Sequence, residues 1–161
     1  MATDPFLEED FRVLTPEAFD FVLTNELKRA VRSQNFVTLV LMEPAVKGEA
    51  AIEETVREEP VREEAVREVA RLVSRDVRET DLLSHTGHGR LSVVLLDADL
   101  ENSIRVIDRL MSRLDHYEFA RPLTFEVGVA CCPTHGVDAA SLRRVAESRP
   151  IRTHDDRSNA Q

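Results

Sequence analysis

The chain has 161 residues, a formal net charge of −9, and 42% hydrophobic against 32% charged residues. This balance suits one globular domain with its own core and excludes a disordered chain. The acidity argues against nucleic acid as a partner, which needs a basic footprint, and no apolar run approaches the ~20 residues that cross a bilayer, so no membrane insertion is expected.

The predicted elements begin with a well-marked helix. Thr15 is its cap, Pro16 suits its first position and Glu17 favours its N-terminal dipole. Phe19, Val22, Leu23, Leu27, Ala30 and Val31 form its apolar face. Phe36 to Met42, "FVTLVLM", reads as a buried strand ended by Glu43-Pro44. Ala45 to Glu59 is acidic and weakly patterned. A second helix starts near Pro60 and buries Val66, Val69, Ala70, Val73 and Val77, with its "VREE" charge runs as a solvated face.

Asp81 to His85 and Leu91 to Leu96 read as two strands of a hairpin. Gly87 and Gly89 lie in the turn between them, where positive φ is needed. Leu100, Ile104, Ile107, Leu110, Met111 and Leu114 mark a third helix. Leu123 to Ala130 is a strand alternating as Phe125, Val127 and Val129, and Ser141 to Ala146 opens a last helix. The order α, β-α-β-β-α-β, α predicts an α+β domain: one mixed, mainly antiparallel sheet covered by helices.

Chemistry-bearing residues are few. Cys131 and Cys132 are the only cysteines and make no disulfide framework. With a Met1-Ala2-Thr3-Asp4-Pro5 start that lacks a signal-peptide pattern, the expectation is a cytoplasmic protein with reduced thiols. His85, His88, His135 and His154 show no zinc spacing. Neighbouring cysteines on a strand point to opposite faces, so one is expected buried and one peripheral, with the histidines at the surface and no metal bound.

Several segments, taken together, carry a resemblance. Residues 67–110, "REVARLVSRDVRETDLLSHTGHGRLSVVLLDADLENSIRVIDRL", resemble the centre of a GGDEF domain, the diguanylate cyclase family. "LTPEAF" at 14–19, "FVTLVLMEP" and "LTFEVGVACCPTHG" at 123–136 resemble its opening helix, first strand and late strand. The likeness covers residues 12–148. It leaves 1–11 as an N-terminal extension and 149–161 as a polar tail expected to be disordered. It implies a nucleotide-cyclase-like fold with a ferredoxin-like βαββαβ core.

Active members of that family condense two GTP into cyclic di-GMP with Mg²⁺ held by carboxylates. Glu43 occupies the first-strand carboxylate position. The signature hairpin, however, reads Gly87-His88-Gly89-Arg90-Leu91. His88 replaces the second glycine, Gly89 the metal-binding acid and Arg90 the following glutamate. Glycine offers no carboxylate, and arginine puts a fixed positive charge beside the cation site. The family's Gly-Leu-Pro-Asn-Arg segment, its Phe-Lys…Asn-Asp segment and its late tyrosine-and-lysine helix are also missing. The resemblance therefore implies a degenerate domain that is not an enzyme and needs no cofactor.

The family's inhibitory site, in contrast, keeps its Arg-x-x-Asp as Arg78-Glu79-Thr80-Asp81, and an ungapped alignment adds Arg109. Guanidinium groups fork onto phosphates or the guanine O6 and N7 edge, and a carboxylate accepts from guanine N–H groups. The same residues have structural uses: a cation at a helix C-terminus for Arg78, a turn cap for Asp81, a solvated position for Arg109. The leading reading is a signalling domain that receives cyclic di-GMP as a regulatory ligand through Arg78, Asp81 and Arg109. The alternative is a scaffold that contacts a signalling protein, or a second copy of itself, without nucleotide.

Overall fold

Thr15 starts the first helix as expected: its Oγ1 accepts the Ala18 N–H at 3.3 Å, with Pro16 in the first turn. Loss of such a cap typically costs about 1 kcal/mol. The computed structural model describes residues 7–8, 13–46, 59–86, 89–148 and 151–152. Its elements are β1 (Leu7–Glu8), β2 (Val13–Leu14), α1 (Pro16–Ser33), β3 (Val37–Val46), α2 (Glu59–Asp76) and β4 (Leu82–Thr86). Then follow β5 (Arg90–Leu96), α3 (Leu100–His116), β6 (Leu123–Cys132), α4 (Ala139–Ser148) and β7 (Ile151–Arg152).

The strands form one sheet in the order β1-β2-β4-β5-β3-β6-β7. Every neighbouring pair is antiparallel except β2 and β4, which run parallel and are tied by Ser84 Oγ donating to the Leu14 carbonyl at 2.9 Å. Within it, β3-α2-β4-β5-α3-β6 is the βαββαβ core.

Strand alternation splits the interior in two. Val40, Met42, Val93, Leu95, Phe125 and Val127 face α2 and α3. Leu39, Leu41, Val94, Leu96, Ala130 and Cys132 face α1 and α4. The period of two that defines a strand puts successive residues into opposite layers, so the sheet is buried on both faces. α4 starts at Ala139, with Asp138 Oδ1 accepting the Ser141 N–H at 2.8 Å; that backbone bond holds the Asp138 carboxyl below its ordinary range.

Several expectations need correction. β3 does not stop at Glu43-Pro44 but pairs with β6 as far as Val46. β5 pairs with β3 only up to Met42, so β3 is a sheet edge at Pro44, where a missing N–H is tolerated. Val31 and Ile104, assigned to apolar faces, are 52% and 45% exposed because they lie at the margins of the buried stripes. Both cysteines are fully buried, since the sheet is covered on both sides where a peripheral position was expected for one. Within the extension and the tail, Leu7–Glu8 and Ile151–Arg152 form short strands at the sheet margins. The acidic stretch 47–58, Gly87, His88 and His154 lie outside the described residues.

Gly128 is required by packing. A Cβ there would sit 1.8 Å from the Ala146 carbonyl oxygen, so α4 rests directly on the β6 backbone. Gly128→Ala is expected to displace α4 and lower unfolding stability by roughly 1–3 kcal/mol or more, read from the urea midpoint.

Candidate functional site

The Arg78–Asp81 segment is a closed turn between α2 and β4. The Asp81 N–H donates to the Arg78 carbonyl at 3.0 Å, and the Arg78 N–H donates back to Asp81 Oδ2 at 3.0 Å. Asp81 Oδ1 accepts the Leu96 N–H at 3.1 Å and lies 3.5 Å from Arg78 Nη2. The Arg78 guanidinium also donates to the Leu96 carbonyl. Leu96 is thus held at both backbone groups, its N–H by Asp81 and its carbonyl by Arg78. Asp81 is only 6% exposed, and its carboxylate is consumed by these contacts. The Arg78 side chain is 59% exposed and has donors left over, since a guanidinium carries five.

Arg78, Asp81 and Arg109 line one cavity of about 450 Å³, between the end of α2, the end of β5 and the first half of α3. Asp76, Asp97, Asn102 and Arg105 are its other polar lining residues. Arg105 and Arg109 are four residues apart and so share a helix face. Arg109 Nη2 reaches the Asp76 carbonyl at 3.4 Å, and Arg113 Nη1 pairs with Asp76 Oδ1 at 2.6 Å. Asp76 thereby ties the C-terminus of α2 to α3 through two arginines. Its other oxygen, Oδ2, is buried and accepts no hydrogen bond among the described residues.

At the hairpin, Thr86 pairs with Arg90, and Gly89 has φ of 72°, the left-handed conformation that favours glycine. Arg90 Nη1 lies 3.0 Å from Glu147 Oε1, and its Nη2 lies 3.6 Å from Glu43 Oε2. The guanidinium joins β5 to β3 and α4. All three side chains are between one third and one half exposed, so each pair contributes at most about 1 kcal/mol. Among the described residues no group of three His, Cys, Asp or Glu side chains is placed to hold a metal ion. His135 Nδ1 accepts the Cys131 N–H at 2.9 Å, a backbone role within the β6 turn.

Solved structures that superpose on this chain include GGDEF domains. The GGDEF domain of FimX from Pseudomonas aeruginosa superposes with a TM-score of 0.72 at 14% identity, covering 89% of this chain and 90% of that one. The chain has the fold of a GGDEF domain. A diguanylate cyclase (DGC) protein from Thermotoga maritima gives 0.69 at 14% identity, covering 92% of this chain and 100% of that one. The GGDEF domain of DgcB from Caulobacter crescentus, solved in complex with c-di-GMP, gives 0.70 at 11% identity, covering 92% and 89%. No protein-family model and no curated protein matches the sequence.

The resemblance expects Mg²⁺ between carboxylates at Glu43 and Gly89, and these two residues do not fit that ion. Gly89 has no side chain, and the Glu43 carboxylate already faces the Arg90 guanidinium. No helix among the described residues is long and apolar enough to cross a membrane.

The family resemblance singled out Arg78, Asp81 and Arg109, which the structure brings to one cavity; Asp97, Asn102 and Arg105, which also line it, were not singled out. The i−4 spacing of Arg105 from Arg109 is a signal for the last of these; Asp97 comes from the β5–α3 connection and Asn102 from the first turn of α3, and their placement beside the α2 end needs the tertiary structure. Glu147 was missed because it stands 57 residues from Arg90.

Burial pushes both thiols above the ordinary cysteine range. Neither Cys131 nor Cys132 is expected to react with a disulfide reagent such as dithiobisnitrobenzoate in the native protein. Two thiols should titrate on unfolding.

Proposed function

We propose that the chain is a GGDEF-type signalling domain that is not a cyclase and that receives cyclic di-GMP at the Arg78–Arg109 cavity. The observation that carries this reading is the convergence of three arginines, Arg78, Arg105 and Arg109, on one polar cavity. Guanidinium groups meet phosphodiester oxygens and the guanine O6 and N7 edge in forked, charge-assisted hydrogen bonds. Exposed arginine planes also stack on purine faces. Asp81 acts here as a positioning residue: it closes the turn that presents Arg78 and fixes Leu96 behind it.

The former catalytic hairpin supports the same reading from the other side. A diguanylate cyclase needs cation-held phosphates, whereas here a guanidinium lies between Glu43 and Glu147. Ligand binding then acts by shifting populations rather than by chemistry. It favours whichever conformation or docked state offers the better-formed arginine cavity.

Calorimetric titration with cyclic di-GMP tests this. Binding in the micromolar range is expected, weakened by added salt. Arg78→Ala and Arg109→Ala should each weaken it about tenfold or more. Incubation with GTP and Mg²⁺ should give no cyclic product. Absence of heat at high micromolar ligand would overturn the receptor reading, and Mg²⁺-dependent GTP turnover lost in Glu43→Ala would overturn the non-cyclase reading.

A further inference from the structure

Three arginines attract an anion, but they do not choose a base. Choosing guanine needs an acceptor for its N1–H and amino group. Asp81, the motif carboxylate, is poorly placed for that task. Its Oδ2 holds the Arg78 N–H, its Oδ1 holds the Leu96 N–H, and its side chain is 3% exposed. Offering it to a ligand means breaking the turn that builds the cavity. Two further carboxylates line the same cavity: Asp76, whose side chain is 5% exposed and pairs with Arg113 at 2.6 Å, and Asp97. Asp97 follows Leu96 directly, is exposed, and has no side-chain hydrogen bond or ion pair among the described residues.

We infer that Asp97 is the residue that reads the guanine edge in this cavity, an inference that rests on the receptor reading above. Its position is set by the backbone rather than by chance. The Asp97 N–H donates to the Phe36 carbonyl at 2.9 Å, and the preceding Leu96 is clamped by Asp81 and Arg78. Asp97 itself has φ of 56°, a left-handed conformation that Asp and Asn adopt far more readily than most residues. The cavity is therefore two-sided. Arg78, Arg105 and Arg109 provide donors for phosphate and for the Hoogsteen edge. Asp97 provides paired acceptors for the two donors of guanine's Watson–Crick edge, and Asn102 lines the same cavity. The Asp81 of the motif has become scaffold, and its reading function has moved to the residue behind the clamp.

Asp97→Asn isolates the claim, because Asn keeps the size and the tolerance for positive φ and exchanges one acceptor for a donor. An amide then opposes one guanine donor with another donor. It matches adenine, which offers a donor at N6 and an acceptor at N1. Wild type and Asp97→Asn are titrated in parallel with cyclic di-GMP and cyclic di-AMP, and melting curves check that both are folded. Wild type should prefer cyclic di-GMP. The variant should lose about tenfold or more for cyclic di-GMP and gain relative affinity for cyclic di-AMP. Unchanged affinity and selectivity in the variant overturn the inference and leave the receptor reading standing. An equal loss for both dinucleotides overturns it too, because a merely structural residue would give that result. If wild type binds neither dinucleotide, the receptor reading fails and this inference fails with it.

Discussion

The buried carboxylate of Asp81 is the contact on which the cavity depends. It accepts the backbone N–H groups of Arg78 and of Leu96, fastening the end of α2 to the end of β5. A buried carboxylate is costly unless such donors satisfy it. Once satisfied, it rigidifies everything attached. The turn presents Arg78, the clamp on Leu96 presents Asp97, and α3, which starts at Leu100 behind its cap Asp99, carries Arg105 and Arg109 to the same opening. Asp76 nearby ties α2 to α3, accepting Arg109 on its carbonyl and Arg113 on one carboxylate oxygen, while its other oxygen is buried without a hydrogen bond among the described residues.

The other end of the β4–β5 hairpin shows the opposite history of charge. There the electrostatics are a short chain of partly exposed ion pairs, Glu43–Arg90–Glu147, which crosses from β3 to α4. Such pairs hold elements in register without adding much stability. The guanidinium neutralises Glu43 in the place where an oxygen-rich cation site would otherwise want a second carboxylate. The two ends of one hairpin thus differ in kind. The turn end carries a fixed internal cation; the end joined to α2 and α3 carries an open arginine cavity.

Much of the fold was legible in the sequence because local rules and burial agreed. Thr15-Pro16 announced α1, the apolar run "LSVVLL" and the alternation in "LTFEV" announced strands, and the stripe Val66, Val69, Ala70, Val73 announced α2. What escaped was set by neighbours. Pro44 continues β3 because β5 ends beside it, and two-residue strands such as β1 and β7 have no periodicity to read. The site followed the same division. The family resemblance pointed to Arg78, Asp81 and Arg109, but it could not show that Asp81 faces inward or that Asp97 lies open in the same cavity. The direction in which a carboxylate points is decided by which backbone donors reach it. For Asp81 one of those donors, Leu96, comes from 15 residues further along the chain.

The central claim is the proposal that cyclic di-GMP is received at the Arg78–Arg109 cavity and not at the hairpin. It is tested most directly by locating the bound dinucleotide with amide NMR shifts during a cyclic di-GMP titration. The account predicts shifts concentrated at Arg78 to Asp81, Leu96 to Asp97 and the α3 turns carrying Arg105 and Arg109, with Gly89, Arg90 and Glu43 unmoved. Shifts centred on Gly89, Arg90 and Glu43, or no shifts at saturating ligand, would contradict it.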